Sequence, residues 1–438
     1  MKKRILVVIV GLGAGLNLVS CGSSGTKGTL SALPERVLVS QGVTSAQAFG
    51  GLVTLNGRND TIAPVAPLGA GSSPGLMAIS PTRNIVMAFD QGSNSVYAVS
   101  TTKESSLGHV QVPGPTSSMV IPTAAPIGYA AVPAATVNGY SFVGAVEVMN
   151  LSGGSIITTI GVTNAQTVVS NSTGSQLLVF SSDSDSLTVL SPDIAVPPVD
   201  TSCFTNLSDG VCAIVPGFSR PVYGIISGST AYILNCGLQC GGSQPASVAV
   251  FDLGSLTITN TIPVDGATWA FLGGSTLYVA GTPPPATPGA NTCSGGLQTA
   301  ATSCGRLDIV DVGSMTVTNK YVITDGYHDR MDMSSNGQLF IGSHDCTNIG
   351  NVNNPSGEVR GCLSILNTAT GQIVIPPDNG DVNGLQSFIN RYVEYVAEGG
   401  NLRVYDTQFD SLLLDDYIPQ GTIDVVGYVG DVKAIDFF

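Results

Sequence analysis

The chain has 438 residues and a formal net charge of −14, with only 11% charged residues against 54 glycines and 25 prolines. That surplus of negative charge would repel phosphate backbones and excludes nucleic acid as a partner; it also keeps an exported chain soluble. Few charges with many Gly and Pro favour short strands joined by turns over long surface helices. No apolar run at helical spacing follows the N-terminus, so the expected class is all-β.

The N-terminus carries Lys2, Lys3 and Arg4, an apolar run from Ile5 to Leu16, then Leu18-Val19-Ser20-Cys21. A basic start and a short apolar run describe an export signal, too short to make a good membrane span. The Leu-Val-Ser-Cys ending resembles the bacterial lipobox. That resemblance implies cleavage before Cys21, lipid on its thiol, and membrane contact through this anchor only. Gly22 in place of Asp after the cysteine implies sorting to the outer membrane or cell surface, where the host has one. Residues 1–20 are then the signal peptide, and 21–35 a flexible tether rich in Gly and Ser. Residues 36–438 form the folded part.

Eight cysteines remain beyond Cys21: Cys203, Cys212, Cys236, Cys240, Cys293, Cys304, Cys346 and Cys362. An even number in an exported chain reads as disulfides. Pairing sequence neighbours gives 203–212, 236–240, 293–304 and 346–362, each within one loop or between a loop and its next strand. Sequence alone leaves the connectivity open. The spacings match no zinc pattern, and CGLQC has one residue too many for a redox CxxC.

One unit recurs along the chain. Its clearest strand ends in a short polar residue at the sixth place: GLVTLNG (51–57), SVYAVST (95–101), AVEVMNL (145–151), SLTVLSP (186–192), SVAVFDL (247–253), RLDIVDV (306–312), CLSILNT (362–368) and NLRVYDT (401–407). Asn56, Ser100, Asn150, Ser191, Asp252, Asp311, Asn367 and Asp406 are read as turn openers that bond the backbone ahead, not as catalytic acids. An apolar strand precedes each copy, as in IVMAF (85–89) or LFIGS (339–343). A Thr-rich strand such as LTITNTIPV (256–264) follows, and a further strand such as LMAIS (76–80) leads the unit. Four antiparallel strands at a period of roughly forty to sixty residues mark a β-propeller, whose blades share cores by stacking around an axis.

SPTRNIVMAF (80–89), SNSTGSQLLVF (170–180) and SSNGQLFIGS (334–343) resemble the YVTN-type propeller repeat of bacterial surface proteins. The resemblance spans nearly all of 36–438 and implies the fold more than a function. Seven complete sets run from about residue 74 to 418. The piece 36–69 supplies three strands, and TIDVVGY (422–428) is expected to add the innermost one and close an eight-bladed ring. Seven blades is the alternative, because VKAIDFF (432–438) also needs a place.

In such a blade the start of the first strand, the end of the second and the loop after it share one face. The long loops 133–143, 236–246, 281–305 and 344–360 all fall there, which makes it the expected binding face, for a protein or a small molecule. The insertion 192–210 falls on the opposite face. The hairpin His328–Asp345 turns near Asn336, so residues summing to 672 are expected to be cross-strand neighbours, His328 and His344 among them. With Asp329 and Asp345, and with Arg330 and Asp332 at the same end, they form the candidate site for a divalent metal or a small anionic ligand. His109 is expected to be exposed, and Trp269 to pack between blades. Asp378 to Gly384 reads as a turn rather than a calcium loop. No CxxCH haem attachment, phosphate loop or Ser-centred catalytic set occurs.

The leading functional reading is a lipid-anchored binding or scaffold protein that uses the loop-rich face. The alternatives are an enzyme resembling the propeller lactonases, or a carrier of metal or cofactor, both relying on the His328/His344 cluster.

Overall fold

The computed structural model describes residues 30–436, apart from 44–49, 137–142, 192–200, 203–211, 285–303, 348–360, 377–379, 389–390 and 415–419. Eight antiparallel blades of four strands follow one another around a closed ring. The innermost strands, taken round the ring, are Tyr428–Ala434 in blade 1, Pro74–Ile79, Ser118–Val120, Ala165–Ser170, Pro221–Ser227, Trp269–Gly273, Tyr327–Met333 in blade 7 and Val382–Phe388 in blade 8. Each touches the next, and blade 8 returns to blade 1.

The burial of each strand explains its composition. Second and third strands lie between neighbouring blades and are buried on both faces, as in Ile85–Asp90 and Ser186–Leu190. They therefore read as near-continuous apolar runs. Outermost strands such as Thr257–Pro263 are mostly exposed, and there β-branched threonine keeps the extended backbone without an apolar surface. The core is divided accordingly: eight apolar clusters among the described residues, each filling the gap between two adjacent blades. A single blade buries neither face, so the ring gains its stability only when it closes.

The sixth-place residues open turns, as their side chains suggest. Asn150 Oδ1 accepts from the N–H of Ser152 and Gly153, Asp252 Oδ1 from Gly254 and Ser255, and Asn367 Oδ1 from Ala369 and Thr370. Four residues beyond the opener, the backbone turns left-handed in seven blades: at Asp60, Glu104, Gly154, Leu256, Met315, Gly371 and Asp410. Only two of these are glycine. The other five carry about 1 kcal/mol of strain each, which the surrounding blade offsets.

Two expectations are corrected. The ring is closed by Tyr428–Ala434, paired with Arg36–Gly42, and not by 422–428. Thr422–Ile423 instead adds to the third strand of blade 8, opposite Leu402 and Arg403. The innermost place needs side chains buried against two neighbouring blades; Val432 and Ala434 alternate inward, a bulge at Gly430 turns Val429 the same way, and all three are completely buried. The insertion after Leu190 leaves from the face opposite the long loops, but Thr201–Ser202 then runs parallel to Ile160 and Gly161 on the outer edge of blade 3. It covers part of an otherwise unpaired sheet edge.

The bridges 236–240 and 346–362 are present. Cys212 and Cys304 are also disulfide-bonded, whereas Cys203 and Cys293 lie outside the described residues, as do Cys21 and Asp378.

Candidate functional site at the channel mouth

In blade 7, Tyr327–Met333 pairs with Gln338–His344. Below the bulge the register is the one expected, with Arg330 opposite Gly342 and Met331 opposite Ile341. Asp329 is the extra residue, and above it the register moves by one: His328 faces Ser343, and His344 faces Tyr327. A bulge of one residue reassigns every side chain beyond it. The two histidines are therefore not directly opposed.

His328 is fully buried, its Nε2 3.0 Å from the carbonyl oxygen of Thr324. It packs against Gly305 of blade 6, where a Cβ would stand only 2.9 Å from its ring. Burial pulls its pKa down to about 4, despite the Thr324 carbonyl and the fields of Asp329 and Asp325, so the ring is neutral at pH 7. Asp345 is exposed on the rim, with its N–H donating to Asp381 Oδ1. Asp332 points along the ring instead, accepting from the N–H of Ser387 in blade 8. Among the described residues, no group of three or more His, Cys, Asp or Glu side chains is placed to hold a metal ion.

What the bulge does bring together is Asp329, Arg330 and His344. His344 Nε2 lies 3.1 Å from Asp329 Oδ1, and Arg330 Nη1 lies 3.2 Å from Asp329 Oδ2. Burial alone would lower the His344 pKa, but contact with Asp329 and the charge of Asp381 outweigh both burial and Arg330, leaving it raised. Arg330 is fixed by two carbonyls: Nε donates to Asn383 and Nη1 to Asp329. Asn383 in turn donates from Nδ2 to the hydroxyl of Tyr428, which belongs to the closing strand.

These side chains open into the channel at its loop-rich end. One cavity of about 700 Å³ is lined by Asp329, Arg330, His344, Asn383, Tyr428 and Gln91, among others. A second, of about 370 Å³, shares Ser117, Asp329 and Arg330 with it and adds Tyr223, Trp269 and Tyr327. Tyr223 and Trp269 come from adjacent blades and stack at 3.8 Å between ring centroids. Trp269 thus packs between blades, as expected, and walls the cavity as well. Burial pushes the Tyr223 hydroxyl up to about 12, with the nearby Arg330 charge opposing. His109 is exposed on an outer strand and stacks on Tyr97.

Sequence reading did not single out Tyr223, Asn383, Tyr428 or Gln91. The available signal was positional: Tyr223, Asn383 and Tyr428 all stand near the start of an innermost strand.

No protein-family model matches the chain, and no curated protein matches it. Solved structures do. The chain is similar to a dihydro-heme d1 dehydrogenase, NirN, solved in complex with DHE, at 11% identity and a TM-score of 0.60, over 92% of this chain and 75% of that one. It is also similar to the Dos1 propeller, at 9% identity and a TM-score of 0.56, over 82% and 85% of the two chains, and to the computationally designed protein Ika8, at 10% identity and 0.52, over 87% and 98%. At such identities the likeness concerns the backbone alone: this chain has the β-propeller fold.

Proposed function

We propose that this is an exported, lipid-anchored propeller of the YVTN type that binds a small organic anion in its channel mouth. The observation that carries the reading is Arg330, held rigidly by two carbonyls at the wall shared by the two cavities. With Nε given to Asn383 and Nη1 to Asp329, its Nη2 is the nitrogen left to donate a charge-assisted hydrogen bond to a carboxylate. The Tyr223–Trp269 stack beside it offers an apolar wall for a flat ring. Rigid polar groups converging on a mostly preformed cavity are what small-molecule sites require. The export signal, the Leu-Val-Ser-Cys sequence and the disulfides support the extracytoplasmic setting.

Calorimetric titration with benzoate and indole-3-carboxylate tests the binding reading. Saturable binding that weakens at least tenfold in Arg330→Gln is expected; absence of binding to either probe, or binding indifferent to Arg330→Gln, overturns it. Labelling of cells with radioactive palmitate, lost in Cys21→Ser, tests the anchor.

One observation favours a second reading. His344, oriented by Asp329 at the cavity wall, has the arrangement of a general base. Hydrolysis of a lactone or ester, abolished in His344→Gln, would favour an enzyme over a binding protein.

A further inference from the structure

We infer that the protein rests the face opposite its channel mouth on the membrane, so that the mouth opens away from the bilayer. The inference rests on the lipid-anchored reading for its biological setting, and on the fold for its direction.

The path of the chain supplies the first argument. Arg36–Gly42 is the second strand of blade 1, between the innermost strand and Gly51–Asn56. Its end, Gly42, and the following Val43 line the mouth cavity. Arg36 therefore lies at the opposite face, where it meets Asp436 and the Glu104 turn of blade 2. The chain is fastened there before the strand begins, with the N–H and hydroxyl of Ser31 both donating to the Glu104 carboxylate. From Cys21 to Ser31 is ten residues, about 34 Å even when fully extended. A seven-residue strand such as Arg36–Gly42 is itself about 23 Å tall. Adding the path outward to the rim, a tether that turned the mouth toward the bilayer would be used up in reaching it. One that leaves the opposite face downward has length to spare.

The surface of that face supplies the second. Leu30 is 53% exposed, Ile62 45%, Tyr392 52% and Phe409 76%. Ile62 follows the blade 1 turn at Asn56–Asp60, Tyr392 precedes the second strand of blade 8, and Phe409 lies in the turn after Asp406. All are at the face opposite the mouth: Ile62 in blade 1, Tyr392 and Phe409 in blade 8, and Leu30 beside Ser31, which is held to the blade 2 turn. Ile62, Tyr392 and Phe409 each stand within two residues of one fixed network, in which Arg391 pairs with Asp60 across blades 1 and 8 and the N–H of Thr407 bonds the carbonyl of Tyr392. Exposed Phe, Tyr, Leu and Ile beside the attachment of a lipid suit the headgroup and upper acyl region of a bilayer. Leu238, Tyr327 and Tyr428 are comparably exposed on the mouth's face, at 48%, 43% and 50%, so it is the path of the tether that decides between the two faces. With a net charge of −14, attraction to anionic lipid does not hold the face; burial of these side chains does.

The chain has a single tryptophan, Trp269, at the mouth, which makes the test direct. The chain from Cys21 is joined through that thiol to a maleimide-headgroup lipid in phosphatidylcholine vesicles containing one in five brominated phosphatidylcholines. Attachment is thus independent of lipidation in the cell. Trp269 in the otherwise natural chain should keep its emission, whereas Phe409→Trp and Tyr392→Trp, each in a Trp269→Phe background, should lose half or more of theirs. Quenching of Trp269, quenching at both faces, or quenching at neither overturns the inference, the last pointing to a protein partner on this face. Failure of palmitate labelling in cells would instead remove the anchor reading and leave the vesicle result standing.

Discussion

Arg36 and Asp436, 400 positions apart, form a forked ion pair: Nε to Oδ2 at 2.7 Å and Nη2 to Oδ1 at 2.8 Å, with the backbone N–H of Arg36 also on Oδ2. The third guanidinium nitrogen reaches Glu104 and the Thr101 carbonyl of blade 2. This latch sits where the first and last strands of the chain meet in one blade. Replacing Asp436 with Asn leaves a largely buried guanidinium underpaired, so a loss of about 2 kcal/mol is expected from urea denaturation. Ending the chain at residue 427 removes the innermost strand and should prevent cooperative unfolding altogether.

A pair that does cross between blades 1 and 8 is more deeply buried. Asp60 is 1% exposed and takes both a bidentate contact from Arg391 and the Tyr395 hydroxyl. Breaking one partner of such a pair strands the other, so Asp60→Asn should cost about 3 kcal/mol, and Asp60→Asn with Arg391→Met less than the sum of the single changes. A double-mutant cycle from denaturation midpoints measures this.

The two described disulfides differ in the loop they close, with sequence separations of 16 for Cys346–Cys362 and 4 for Cys236–Cys240. Loop entropy puts their removal at about 3 and about 2 kcal/mol. Replacing each pair by alanine and comparing melting curves should rank them in that order. Cys346 follows His344 by two residues, so losing the 346–362 bridge should also weaken any ligand that depends on His344.

The pH dependence of stability should carry the mark of His328. Its pKa is near 4 in the folded chain and about 6.5 unfolded. Between those values the unfolded chain binds the additional proton, so stability rises with pH from 4 to 6.5, by about 3 kcal/mol from this group. In His328→Gln the slope of unfolding free energy against pH should fall by up to one proton over that window. His344 works in the other direction: raised in the folded chain, it contributes stability below 6.5 that is lost as pH rises through its folded value.

Glu394 governs the alkaline side. It is completely buried, and burial together with Asp332 pushes its carboxyl well above the usual range, against the Gln386 backbone. The folded chain therefore holds a proton that the unfolded chain has released above about pH 4.5. Its contribution is lost as pH rises from there through the folded value. Glu394→Gln should flatten that loss, read from denaturation curves at pH 6 and pH 9.

Much of the fold is written locally. Alternation of apolar residues, the sixth-place turn openers from Asn56 to Asp406, and the spacing of the units are enough to give an all-β propeller and to favour eight blades over seven; the closed ring fixes the count, and the bridges 236–240 and 346–362 settle the pairing that the sequence left open. Alternation and turn opening depend on contacts a few residues away. The tertiary structure decided what depends on register and on closure. Tyr428–Ala434 rather than 422–428 closes the ring because its buried Val429, Val432 and Ala434, brought to one side by a bulge at Gly430, fit between two blades already in place. At His328–His344, a bulge of one residue at Asp329 moved one histidine into the core and left the other beside Asp329 and Arg330. No periodicity announces a bulge, since it is one residue taken out of a period of two. The channel mouth likewise draws Tyr223, Trp269, Arg330, Asn383 and Tyr428 from five blades, a convergence that exists only once the ring has closed.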